Sequence, residues 1–416
     1  MQSELLDVAD ASMTCLDRIG MAKIAKMAFD GADLRPLREE LVKKLLDDTA
    51  HAGEGLDLSL VAQLLGDKQF GLAIQRDILM THQLYRLPCA SKNPRFRVLA
   101  LAAATDMGGN TPIEFLLENS NMELMVLYVI PEVELPAPLP AHDVAIVIAS
   151  DSHDCRDALR KIGAALPCWP RPLLNPPALV GNLDRDKLHR LLDGIEGLTI
   201  PPTFVVTRER LSAAAHTADA LTDIAVDLGF PVIVRPRGSH AGTGLSRVDD
   251  PAAMARYLTA CSEDLFFVSR FVDYASADGF YRKYRVVFVD GRPYACHMAV
   301  AERWDIWYLN AGMLQSAPKR LEEETFMRTF DSGFGRRHHA ALATMNDRIG
   351  LDYFTVDCAE ARDGSLLIFE ADNTAVVHNM DPPDIFPYRQ PQMQKIFNAF
   401  AAMLERRANP MRERVA

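Results

Sequence analysis

Apolar residues fall at helical spacing through the first 88 positions: Leu34, Leu37, Leu41 and Leu45, then Leu60, Leu64, Leu65, Leu72 and Ile74. Residues three and four apart share a helix face, and no β-branched run interrupts the stretch. It therefore predicts an all-helical accessory unit of about four helices over residues 1–90. At CASKNPRFR, Cys89 to Arg97, the pattern changes. A strand is predicted from Val98 to Thr105, a turn at Gly108, Gly109 and Asn110, and a helix from Thr111 to Glu118. Strands from Leu124 to Ile130 and from Val144 to Ala149 follow, then a helix from Cys155 to Leu166. Short apolar runs alternating with helices predict βαβ units around a parallel sheet, over residues 95–180.

Beyond residue 181 the pattern predicts a helix (Asp186 to Gly194), a strand (Thr203 to Val206), a helix (Ala215 to Leu228) and a strand-loop-strand in FPVIVRPRGSHAGTGLSRV. A helix (Ala252 to Cys261), strands at Leu265 to Phe271, Tyr284 to Val289 and Pro293 to Val300, and a helix (Arg336 to Gly350) come next. A final strand pair lies around Asp357 and Glu370, joined by the turn ARDGS. Read as a hairpin, it sets Asp357 opposite Glu370. The tail, residues 406–416, follows a helix that ends in arginines, which suits a helix C-terminus. The class expected is α/β, with α+β lobes in its second half.

Composition fits this picture. With 49% hydrophobic and 24% charged residues in 416, the chain is an ordinary globular protein of about three units at ~150 residues each. The net charge of −11 argues against a surface built to coat nucleic acid. No apolar run has the length of a membrane span, and the acidic start MQSELLDVAD has no signal-peptide core, so a cytoplasmic protein is expected. Seven scattered cysteines with no CxxC pair predict reduced, mostly buried thiols, with neither disulfides nor zinc.

Two features carry chemistry. In the loop after Val234, Gly238, Gly242 and Gly244 free the backbone to wrap phosphates, while Arg235, Arg237 and His240 supply charge. The loop lies between strands and lacks the GKS or GKT of a Walker motif. Near the C-terminus, Asp357 and Glu370 end apolar strands, with Asp372 and Asn373 immediately after. Opposed carboxylates repel unless something neutralises them, and clustered hard oxygens suit Mg²⁺. The GGNTP turn after the first βαβ strand is not a dinucleotide fingerprint.

In this order the segments resemble the ATP-grasp superfamily of carboxylate-amine ligases, over residues 95–405. D-alanine-D-alanine ligase and the RimK and glutathione-synthetase branch are the nearest pictures. The resemblance implies a βαβ pre-grasp domain (95–180) and an ATP-grasp domain (181–405), with a lid lobe at about 200–270 and a large lobe at about 271–405. NLDRDKLHRLL looks like the family's D-K helix, matching Lys187 to a phosphate-binding lysine. Arg235 matches the second such lysine, and Gly238, Ser239, His240, Gly242 and Gly244 match the glycine-rich loop. LFFVSRFVD resembles the hinge that reads adenine, with Ser269, Arg270, Phe271 and Val272 beside the base. Asp273 or Asp278 is left to hold ribose, because Lys283 stands where an acid is usual. KYRVVFVDG resembles the strand carrying the family's catalytic arginine, matching Arg285; YLNAGM matches Asn310 to a substrate position. LDYFTVD and IFEADNT resemble the metal strands, matching Asp357, Glu370 and Asp372 to ligands for one or two Mg²⁺ ions, with Asp372 in place of an asparagine. Asn373, His378 and Asn379 fall where the family's second substrate lies, with Trp304, Trp307 and Tyr308; for the tryptophans ordinary packing is the plainer role. His338 and His339 are expected on the surface of their helix.

The activity implied is ATP-dependent amide formation through an acyl phosphate, joining a small carboxylate to an amine, both amino acids or one a peptide, with release of ADP and phosphate. Lys187, Arg235 and Arg285 would stabilise the transferring phosphoryl group. Two alternatives stand beside it: modification of a gene-encoded peptide docked on the helical unit, and a nucleotide-binding scaffold without turnover. A homodimer is the default assembly.

Overall fold

The computed structural model describes residues 14–91, 93–94, 96–239, 242–307 and 310–408. His240 and Tyr308, two candidates from the sequence, lie outside them. The mixed α/β class is as expected, with three sheets of six, four and five strands.

Four helices open the described chain: Met21–Phe29, Arg35–Leu46, Ala52–Leu64 and Lys68–Leu79. Two short strands flank them, Leu16–Asp17 and Leu84–Arg86, and both enter the first sheet. Leu84–Arg86 runs antiparallel to Met122–Val129, and Leu16–Asp17 pairs with Leu84–Arg86. The helical unit is thus stitched into the sheet of the next one. The rest of that sheet is parallel, Met122–Val129, Phe96–Ala103, Val144–Val147 and Leu173–Leu174, as the βαβ pattern predicts. The Gly108 to Asn110 turn does structural work: Asn110 accepts from the Ala103 amide and donates to its carbonyl, both at 2.9 Å.

The four-stranded sheet, ordered Ser246–Val248, Val232–Pro236, Leu265–Arg270 and Thr203–Thr207, is antiparallel throughout. Val206, Val232, Val234, Phe266 and Val268 bury one of its faces in a core of its own with Leu211, Leu221 and Met254. Strand alternation turns Ile233, Arg235, Phe267 and Ser269 to the other face. Between Ala215 and Leu228 the chain is not the long helix expected. The helix is Arg208–Ala214, and only Asp219–Thr222 is helical thereafter. Thr217 accepts from the Asp219 amide and Thr222 donates to the Asp219 carbonyl; such local bonds compete with helix propagation.

The five-stranded sheet is ordered Arg292–Ala301, Tyr281–Val289, Tyr353–Glu360, Leu366–Asp372 and Leu198–Thr199. The predicted hairpin has its predicted register, with Asp357 opposite Glu370. Helix His339–Ile349 stops at Gly350, whose φ of 69° is the left-handed conformation glycine tolerates best. Helix Ala317–Arg328 went unpredicted, and the helix expected to end in arginines is Arg389–Ala408, with Arg406 and Arg407 in its last turn. One continuous core joins this sheet to the six-stranded one, running from Leu99 and Val147 to Val286, Phe354 and Ile368.

Among the described residues no helix is long and apolar enough to cross a membrane. The seven cysteines are all free; Cys155, Cys296 and Cys358 are buried and Cys168 is exposed.

Candidate functional site

A cluster of charges lies between the four-stranded and five-stranded sheets. On the five-stranded side, Tyr281–Val289 carries Lys283 and Arg285 two residues apart, hence on one face. Arg285 is the cross-strand partner of Asp357, which is the partner of Glu370. Arg285 grips Asp357 with two bonds, Nε to Oδ1 at 2.7 Å and Nη2 to Oδ2 at 3.0 Å. The Lys283 ammonium reaches Oδ2 at 2.7 Å. Burial opposes ionisation of Asp357, but Arg285 and Lys283 outweigh it and hold the carboxyl well below the usual carboxylate range. His297 lies opposite Arg285 on the next strand; burial, then the Arg285 charge, keeps its imidazole neutral.

Arg185 links the two sheets. It sits in the first turn of helix Arg185–Leu192, ion-paired to Glu370 of the five-stranded sheet, with its guanidinium 6.0 Å from the ring of Phe267 on the four-stranded one. Arg237, from the glycine-rich turn, donates to Asp184 at 2.9 Å and lies 5.8 Å from the same ring. Asp151, at the mouth of the parallel sheet, completes the cluster. Burial, reinforced by Asp372 and Asp184 and opposed by Arg185, pushes its carboxyl up to about 7.

Arg235 is held differently. Its guanidinium donates to the Ser239 hydroxyl at 3.2 Å and to the Ser239 carbonyl. Burial and the like charge of Arg185 pull its pKa down to about 9. Gly238, Gly242 and Gly244 all have positive φ, and a Cβ on Gly244 would meet the Pro236 ring at 2.6 Å, so that position admits only glycine.

Other candidates stand elsewhere. Lys187 is exposed and donates to the Gly181 carbonyl at 2.8 Å; Arg185 is the cation its helix turns toward the carboxylates. The sequence held the signal. Leu188 and Leu192 mark the buried face of that helix, and Arg185, at i and i+3 with Leu188, continues it whereas Lys187 does not. Asp278 is bound by Arg282 through two bonds, at 3.0 and 2.7 Å, on the rim of a cavity of about 350 Å³ with Tyr274, Tyr284 and Glu360. Asp273 is paired with Arg362. Asn310 braces its own loop, donating to the Asp305 carbonyl and accepting from the Trp307 amide. Asn373 is fully buried, with its side chain on the Ala149 carbonyl and its own carbonyl accepting from Thr111, tying the carboxylate strand to the parallel sheet. His378 accepts from the Met380 amide and packs near Phe115 and near Phe29 of the helical unit. In the hinge segment Arg270 is exposed, Ser269 and Val272 are half-buried, and Phe271 lies between Trp304 and the Arg247 guanidinium. His338, expected at the surface, is buried against Glu360, 2.8 Å away.

The expected Mg²⁺ set does not fit. Both oxygens of Asp357 are engaged by Arg285 and Lys283, Glu370 is paired with Arg185, and Asp372 Oδ1 accepts from the Thr374 amide and hydroxyl. Among the described residues no group of three or more His, Cys, Asp or Glu side chains is placed to hold a metal ion. The physical reason at Asp357 is Arg285 with Lys283, and at Glu370 it is Arg185: a carboxylate that faces a cation is already neutralised.

No protein-family model matches the sequence. Among solved structures, the chain is similar to a RimK domain ATP-grasp protein from Sphaerobacter thermophilus, with 17% identity, 74% of this chain and 99% of that one covered, and a TM-score of 0.44. It is also similar to D-alanine–D-alanine ligase from Bacillus anthracis complexed with ATP (13% identity, 77% and 99% covered, TM-score 0.44). A third is the ATP-grasp ligase PsnB complexed with precursor peptide PsnA2 and AMPPNP (12% identity, 76% and 99% covered, TM-score 0.42).

Proposed function

We propose that the chain is an ATP-grasp ligase that uses ATP to join a carboxylate to an amine. The observation that carries this reading is Arg185, which spans two sheets whose facing sides hold Arg235, Lys283 and Arg285. Such a concentration of cations between two lobes suits a polyphosphate, and the motif order of the sequence supports ATP as its source. The carboxylate substrate attacks the γ-phosphate, giving an acyl phosphate and ADP. The amine then attacks the acyl carbon, and phosphate leaves with the bonding pair of the broken C–O bond. Catalysis of this kind needs positioning and charge more than covalent chemistry from the protein. Arg285 is the residue we assign to the transferring phosphoryl group, and Arg235 and Arg185 to the outer phosphate oxygens.

A peptide as one of the substrates is favoured by one contact: Phe29 of the helical unit stands 5.9 Å from the ring of His378, just beyond the carboxylate strand. A peptide docked on the helices is thereby led toward the site. ADP release measured with paired amino acids and short peptides, with product masses, tests both readings. The ligase requires release that depends on both partners and a product equal to their sum less one water. Nucleotide binding with no release for any pair moves the chain to the scaffold reading.

A further inference from the structure

Magnesium answers one electrostatic problem in a nucleotide site, the concentration of several phosphate charges in a small volume beside the carboxylates that hold the ion. Here side chains already answer it. Asp357 is 2% exposed, whereas the side chains of Lys283 and Arg285 that engage it are 20% and 21% exposed. The carboxylate therefore lies beneath and the cations above, so an arriving ligand meets positive charge first. At Asp357 itself two cations face one carboxylate, with Asp372 a further negative charge that reaches Arg285, and the Arg185 pairing takes Glu370 out of competition. A divalent ion approaching Asp357 would face two like-charged groups hydrogen-bonded to both of its oxygens. An anion faces no such barrier. Lysine suits the task, because its ammonium is a compact point charge whose three donors leave some for phosphate oxygens after one is given to Asp357.

We propose that the Lys283 ammonium, pinned beside Arg285 by Asp357, takes the part of the divalent cation, so that this chain binds a nucleoside triphosphate without Mg²⁺. The inference rests on the nucleotide reading above and specifies the form of nucleotide the site accepts. Asp357 is in this view a positioning residue that acts through the two cations.

Calorimetric titration of the full chain with AMPPNP, a slowly hydrolysed ATP analogue, in excess EDTA and again in excess MgCl₂, tests it. The expected affinities agree within about threefold. Lys283→Met keeps most of the length of the side chain, removes its charge and leaves Asp357 paired with Arg285. It is expected to lose about tenfold or more in EDTA and to recover part of that loss in Mg²⁺, whereas Lys283→Arg retains metal-free binding. Circular dichroism establishes that the variants are folded, and the wild-type ratio stands as a test without them. Wild-type binding that disappears in EDTA overturns the inference and leaves the nucleotide reading intact. Equal affinities of wild type and Lys283→Met in EDTA overturn it as well. No binding in either buffer overturns the nucleotide reading and this inference with it.

Discussion

The two sheets that flank the charge cluster hold their arginines in opposite ways. Arg285, on the five-stranded sheet, is gripped by a buried carboxylate that also holds Lys283. Arg235, on the four-stranded sheet, is held by the hydroxyl and carbonyl of Ser239, with the like charge of Arg185 nearby. A carboxylate fixes a cation and offsets its charge; a carbonyl fixes it and leaves most of the charge in place. The first arrangement builds a floor that is stable without ligand, and the second keeps a desolvated charge whose best partner is an anion from outside. The cores repeat the contrast, since the five-stranded sheet shares its core with the parallel sheet and the four-stranded sheet has one of its own.

The largest effect that tests this contrast is on stability. Asp357→Ala leaves two partly buried cations without their counter-charge and is expected to cost about 3–5 kcal/mol in urea unfolding at neutral pH. The pH dependence has a definite sign. Because the folded carboxyl titrates below its unfolded value, its contribution is complete above about pH 4 and is lost as the pH falls below that value. A wild type that loses no more stability below pH 4 than Asp357→Asn would contradict the assigned pairing. Next comes Arg235→Met, expected to weaken AMPPNP binding about tenfold or more while leaving the melting temperature unchanged or slightly higher. A large loss of stability instead would mean that Arg235 is as structural as Arg285. Third, Asp151→Asn removes a carboxyl whose folded pKa is raised to about 7. A raised folded pKa favours the folded state at low pH, and that advantage is lost as the pH rises through 7. The variant should therefore melt higher than wild type at pH 8 and show little difference at pH 4, as thermal scans would reveal. Smallest is Ser239→Ala, which removes one hydroxyl from Arg235 and is expected to cost about 1 kcal/mol or less by the same urea assay.

Legibility followed the range of the interactions. The Asp357–Glu370 register was readable because a short turn closes two strongly patterned strands, so local sequence decides the pairing. The strands Leu16–Asp17 and Leu84–Arg86 were not, being two and three residues long and formed only through distant partners. Lys187 drew attention by residue type, while helix phase pointed to Arg185. The carboxylates are legible from residue type and strand pattern; the resemblance sets Lys283 at a ribose position, whereas the structure pairs it with Asp357. Spacing from strand to strand does not disclose that a lysine two residues before an arginine shares its carboxylate.

Strand Leu84–Arg86 also bears on how the chain can be cut. Removing residues 1–90, the division suggested by hydrophobic pattern, would strip a partner from Met122–Val129 and leave that strand of mostly apolar residues as the rim of its sheet. Unpaired amide and carbonyl groups along such a rim recruit other chains. Strand Leu84–Arg86, with Leu16–Asp17 beside it, thus guards that edge against self-association, and shortened versions of the protein should be sought with the segment from Leu16 onward retained.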